Sequence, residues 1–207
     1  MVEPLPRVEP LLRVEHLACE RDGRLLFDDL GFTLSAGDCL ELRGPNGSGK
    51  STLLRAVAGL YPDFTGTIEA GDSLYLGHRL GISGLLTAAE NLRWYESLRG
   101  GGLGVSEALE RVGMAGFERV PCQRMSAGQQ RRVGLARLIL CPAPLWLLDE
   151  PLTALDGAGQ QLVRGLIEAR CAEGGAVLCA THQPLGVPGA GMLSLEVSDA
   201  DMPDRGR

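Results

Sequence analysis

The sequence predicts an α/β fold with a mainly parallel core sheet flanked by helices, an antiparallel β subdomain towards the N-terminus and a helical subdomain inserted later. Three observations carry this. Strand-like apolar runs alternate with helix-patterned segments along most of the chain, the order that builds parallel sheets through crossover helices. Gly44-Pro45-Asn46-Gly47-Ser48-Gly49-Lys50-Ser51-Thr52 satisfies the phosphate-binding pattern G-x-x-x-x-G-K-[ST] at every fixed position, and it lies between a strand and a helix, as that motif requires. The apolar run Leu145-Trp146-Leu147-Leu148 ends in Asp149-Glu150, so a buried strand delivers two carboxylates to the sheet edge where such proteins gather ligands.

The elements follow in order. Leu11 to Cys19 and Leu25 to Leu34 alternate as strands do, and Asp22-Gly23 supplies the turn between them. Ser35-Ala36-Gly37-Asp38 then leads into a strand at Cys39-Leu40-Glu41-Leu42, and a helix begins near Lys50 and runs through Val57. Thr67-Ile68-Glu69 and Leu74-Tyr75-Leu76 read as further short strands. Helical spacing appears over Ala88 to Leu98 and Ser106 to Met114, with Gly100-Gly101-Gly102 as the break and Ser106 as the expected cap. Ser126 opens a helix through Leu140, a further helix runs from about Gly157 to Cys171, and Ala176 to Cys179 is a strand. The expected organisation is one domain over 11–198, with the helical subdomain at about 79–125 and loose tails at 1–10 and 199–207.

Composition narrows the function. At 207 residues the chain suits one well-buried core, and its 29 glycines are about twice the ordinary ~7% share, as expected of many turns and close backbone approaches. Twenty basic against 26 acidic residues leave a net charge of -6, the wrong sign for a general nucleic-acid binder. The six cysteines contain no C-x-x-C pair and sit mostly among apolar residues, so they read as core thiols. Glu3, Pro4 and Pro6 interrupt any secretory apolar core, and no apolar run approaches the ~20 residues of a membrane span.

The phosphate loop defines the chemistry. Its glycines allow backbone N–H groups to turn inward around a polyphosphate, and the following helix adds the positive end of its dipole. Lys50 reaches the β- and γ-phosphates, while the Ser51 hydroxyl suits the accompanying Mg²⁺. Lys50 is the only lysine in the chain, which points to a compact point charge that arginine cannot replace. Asp149 fits the need to hold Mg²⁺, and Glu150 fits the need for a general base or water-positioning group. Met125-Ser126-Ala127-Gly128-Gln129-Gln130 places a hydroxyl and free amides at a second helix start. Two phosphate-seeking helix starts in one chain suggest a head-to-tail dimer in which one copy approaches the other's nucleotide.

In these motifs and their order the chain resembles the nucleotide-binding subunits of ATP-binding-cassette (ABC) transporters. The resemblance implies a P-loop NTPase fold of the ABC-ATPase type, ATP and Mg²⁺ as ligands, and a homodimer working with separate transmembrane subunits. Gly44 to Thr52 resembles Walker A, Met125 to Gln129 the signature sequence, and Leu145 to Glu150 Walker B. Ala154-Leu155-Asp156 resembles the D-loop, with Asp156 contributing to the nucleotide site. His182 resembles the switch histidine that contacts the γ-phosphate. Four positions depart from the pattern. Arg21 stands where an aromatic ring often meets adenine, and a guanidinium can stack there. His78 replaces the Q-loop glutamine, and Met125 and Ala127 replace leucine and glycine.

Within that family, Tyr75-Leu76-Gly77-His78, Glu90-Asn91-Leu92, Ser126 to Val133, Pro144-Leu145-Trp146 and Thr181-His182-Gln183-Pro184-Leu185 resemble the ATP-binding subunit of the haem exporter of cytochrome c maturation. This resemblance implies a peripheral location on the cytoplasmic face of the bacterial inner membrane and indirect work on haem or its chaperone. The same ATPase could instead serve another cargo, or a soluble mechanical switch.

Overall fold

The computed structural model describes residues 9–99 and 103–196. Almost all of the two expected tails, and the Gly100-Gly101-Gly102 break, lie outside the described residues. Strands β1 (Leu12–Arg21) and β2 (Arg24–Leu34) pair antiparallel. Asp22 and Gly23 both have positive φ, 54° and 75°, the consecutive left-handed residues of a tight hairpin turn whose twist matches its strands. On the other edge of β1, strand β4 (Thr65–Ala70) completes a three-stranded antiparallel sheet.

The second sheet is parallel in all four pairings. It contains β3 (Cys39–Arg43), β5 (Ser73–Leu76), β6 (Leu145–Asp149), β7 (Ala176–Ala180) and β8 (Gly191–Ser194), in the order β5-β6-β7-β3-β8. This order matters for the site. The strand that precedes the glycine loop lies beside the one that precedes His182, and that one lies beside the strand ending in Asp149. Parallel pairing brings all three carboxyl ends to one edge.

Helices α1 (Lys50–Val57), α2 (Ala88–Arg99), α3 (Val105–Arg111), α4 (Ala127–Leu140) and α5 (Gly157–Ala172) complete the chain. The two-residue period of the central strands feeds two cores. Leu145 and Leu147 of β6, with Leu178 of β7, pack with α1 residues Leu53 and Leu54 and with β1 residues Leu12 and Leu17. Trp146, Leu148, Val177 and Cys179 face the other way, towards Leu135 and Leu138 of α4 and Val163 and Ile167 of α5. Burial on both faces explains why these strands are apolar throughout.

Three side chains hold the helical region in place. Thr87 and Glu90 exchange bonds at the start of α2: the Thr87 N–H donates to Glu90 Oε2 at 2.8 Å and the Glu90 N–H to Thr87 Oγ1 at 3.2 Å. Buried Asn91 donates to the Ser83 carbonyl and accepts from the Ser83 N–H, at 2.9 and 2.7 Å. Asn91 thereby fixes the segment after His78.

Two expectations are corrected. Helix α3 is capped by Gly104, not Ser106, which lies inside the helix, and it ends at Arg111 rather than Met114. Gly113, at φ 72°, adopts a left-handed conformation that ends a helix readily. Strand β8 was not expected: it is a four-residue edge strand, and its Met192 is exposed, so no apolar alternation marks it. All the cysteines but the half-buried Cys171 are buried, as core thiols should be. No helix among the described residues is long and apolar enough to cross a membrane.

Candidate active site

The glycine loop closes on its surroundings. Gly44 has φ 146°, and a Cβ there would lie 2.2 Å from the Leu195 carbonyl oxygen and 2.7 Å from Ser48 Oγ. Gly49, at φ 93°, is the N-cap of α1 and supplies no side-chain hydrogen bond. The first amides of α1 are therefore left for a ligand. Ser48 Oγ is buried without a hydrogen-bond partner, a polar atom still owed a contact. Lys50 Nζ donates to the carbonyls of Gly44 and Pro45 at 2.7 and 2.8 Å, which holds the ammonium beside the loop.

Opposite it, β6 delivers its carboxylates. Buried Asp149 accepts from Ser51 Oγ at 3.1 Å and, at the longer distance of 3.4 Å, from the Tyr75 hydroxyl. Burial raises the Tyr75 pKa above its ordinary value, so the phenol remains a donor at neutral pH. Glu150 has φ 53°, a left-handed conformation unusual for a residue with a side chain. The Glu150 N–H donates to the Ala180 carbonyl at 2.9 Å, and its carbonyl accepts from the Thr153 N–H at 3.2 Å. His182 Nε2 lies 3.1 Å from Glu150 Oε1, at an angle outside hydrogen-bond geometry. The histidine turn is itself tied by Thr181 Oγ1, which donates to the Gln183 carbonyl at 2.7 Å.

One cleft of about 750 Å³ gathers most of the expected residues: Arg21, Asn46, Gly47, Gly49, Lys50, Ser51, Thr52, His78, Asp149, Glu150 and His182 all line it. Arg21 and His78 are exposed on its rim. Ser126, Ala127, Gly128, Gln129 and Asp156 do not line this cleft. Ser126 instead closes its own helix: Ser126 Oγ accepts from the Gln129 N–H at 3.2 Å and the Gln129 side chain accepts from the Ser126 N–H at 2.9 Å. Asp156 does the same for α5, accepting from the Gly159 N–H at 2.8 Å. That backbone hydrogen bond holds the Asp156 carboxyl below its ordinary pKa.

Sequence reasoning missed Arg24, Leu26, Thr153 and Tyr75. Arg24 was within reach: the Asp22-Gly23 turn puts it opposite Arg21 in the hairpin register, and both line the cleft. Tyr75 carries no such signal, since its role depends on β5 pairing with β6. The donor set suits Mg²⁺. A hydroxyl and a carboxylate meet at one point, and such oxygen donors are the kind that Mg²⁺ takes alongside waters and substrate phosphates.

A family model described as ABC transporter matches residues 27–153. This chain belongs to the ABC transporter family. Within it, the chain is 49% identical over 194 residues to the cytochrome c biogenesis ATP-binding export protein CcmA of Saccharophagus degradans, covering 83% of this chain and 87% of that protein. It is 46% identical over 201 residues to the CcmA protein of Rhizobium etli, covering 89% and 94%. A solved ATP-binding subunit of an ABC transporter superposes with a TM-score of 0.80 at 22% identity, over 90% of this chain and 88% of that one, and supports the fold. As a member of this ABC family, the chain is an ATP-hydrolysing transporter subunit.

Proposed function

We propose that this ATPase drives haem export, or release of haem from its chaperone, in cytochrome c biogenesis. It does so as a homodimer beneath separate transmembrane subunits, on the cytoplasmic face of the inner membrane. The single observation that carries the assignment is the identity of 49% with a cytochrome c biogenesis export protein over 87% of that protein's length.

The chemistry is transfer of the terminal phosphoryl group of ATP to water. The amides of Gly47 to Ser51 and the Lys50 ammonium bind the phosphates, and Arg21 and Arg24 stand where the nucleoside end would leave the loop. Ser51 and Asp149 would hold Mg²⁺, which neutralises charge on the β- and γ-oxygens when bound. Glu150, held at the carboxyl end of β6, orients the attacking water and takes its proton, a contribution of about 10²–10⁴ in rate. His182, 3.1 Å from Glu150, sits where it can meet both the terminal phosphoryl group and that carboxylate. His78, on the same cleft, offers one hydrogen bond to water. Ser126 and its neighbours lie outside this cleft and are assigned to the nucleotide bound by the partner copy.

The test is to purify the chain from membranes with whatever accompanies it and assay the assembly for haem. Membrane subunits together with haem, or with a haem-binding chaperone, are expected. A stable assembly with transmembrane subunits but another cargo would overturn the haem assignment and leave the ATPase intact.

A further inference from the structure

The turn that carries Glu150 is held by a side chain outside the nucleotide cleft. Arg131, in the second turn of α4, is only 4% exposed. Its Nη2 donates to the Asp149 carbonyl at 3.3 Å and, at closer range, to the Glu150 carbonyl, while its Nε donates to the Pro151 carbonyl at 3.3 Å. One guanidinium thus spans three consecutive peptide units of the Asp149-Glu150-Pro151 turn. We propose that Arg131 is a positioning residue for hydrolysis: its buried fork clamps this turn and so determines where the Glu150 carboxylate points.

Four physical facts support the assignment. Glu150 adopts φ 53°, a conformation that persists in a residue with a side chain only where the surroundings enforce it. Arg131 is the side chain that meets the Glu150 carbonyl, beside the Thr153 N–H. The geometry also needs a guanidinium, because a planar fork with several fixed donors can serve separate carbonyls at once, whereas an ammonium is a single point. Finally, a buried cation requires nearby negative charge. The acidic residues Asp149 and Glu150 belong to the same turn that the guanidinium spans. Arg131 is not itself among the residues that line the cleft, and it reaches the cleft only through the backbone of Asp149 and Glu150. Arg131 lies in the helix that Ser126 caps.

The inference rests on Glu150 as the hydrolytic carboxylate. The experiment compares wild type, Arg131→Lys, Arg131→Gln and Glu150→Gln in ATP affinity, measured with a fluorescent nucleotide, and in steady-state hydrolysis. A carboxylate displaced by about 1 Å loses up to ~10²-fold in rate. Arg131→Gln should therefore lower kcat by at least about tenfold, with ATP affinity within about twofold of wild type. Arg131→Lys, which retains the charge without the fork, should recover part of that loss. If Arg131→Gln does not fold, Arg131→Lys decides: lower kcat at unchanged affinity supports the proposal. Wild-type kcat in a folded variant, or affinity and kcat falling by one common factor, would overturn it. Should Glu150→Gln itself keep turning over, the reading of Glu150 fails; should it collapse while Arg131→Lys stays fully active, only the Arg131 assignment fails.

Discussion

Helices α1 and α4 begin in opposite ways. The start of α1 is capped by a left-handed glycine with no side-chain bond, beside a buried serine hydroxyl that lacks a partner, and it opens into the cleft. The start of α4 is closed by a reciprocal pair, Ser126 and Gln129, each bonding the other's backbone, on an exposed face outside the cleft. A helix needs its first amides satisfied. In α1 that task falls to a ligand, whereas α4 satisfies part of it internally and can stand exposed in a single chain. The difference separates a helix start left open within one protomer from one already closed by its own side chains.

Four measurements test the contrast between these helix starts. The largest effect belongs to Glu150→Gln, which should leave ATP bound at the α1 start while hydrolysis falls about 10²–10⁴-fold; turnover assays beside nucleotide binding check this. Next, Lys50→Ala removes a charged hydrogen bond of about 1.5–3 kcal/mol, so ATP affinity should fall roughly 10–100-fold in a binding titration of the chain alone. Ser126→Ala should behave differently. Losing the cap costs about 1 kcal/mol, or roughly 2–4 °C of melting temperature in a chain of this size, while ATP affinity of the single chain stays at the wild-type value. If Ser126→Ala weakens that affinity as Lys50→Ala does, the two helix starts serve one nucleotide and the contrast disappears.

The smallest effect concerns a third start, that of α5. The Gly159 N–H holds the Asp156 carboxyl below its ordinary pKa, so the folded state binds that proton less readily than the unfolded state. Its contribution is therefore complete above the ordinary carboxylate range and is lost as pH falls through the depressed folded value. Melting temperatures of wild type and Asp156→Asn from pH 7 to pH 3 should differ by a constant amount at first and then converge at the acid end. A gap that widens with acid would contradict this sign.

How much of this was legible depended on whether a role is local in the chain. The glycine loop, the Leu145 to Glu150 run and the alternating strands all declare themselves over a few consecutive residues, and the structure brings Lys50, Ser51, Asp149, Glu150 and His182 into one cleft. Roles created by pairing between distant segments were hidden. Tyr75 meets Asp149 because β5 lies beside β6. Arg131 looks like one of several polar residues at the head of a helix, although it shares an inward stripe with Leu135 and Leu138 at helical spacing. Ser106 misled because its capping preference is real, but the helix had already begun at Val105.

The most direct test of the two-sided arrangement is the mass of Glu150→Gln in solution by sedimentation equilibrium, with and without saturating Mg-ATP. The account predicts a shift from the 22.0 kDa of one chain to twice that mass with nucleotide, and no shift when Ser126→Glu is added, although that double variant still binds ATP. A nucleotide-loaded chain that keeps the mass of one protomer, or a dimer that forms equally well with Ser126→Glu, would contradict it.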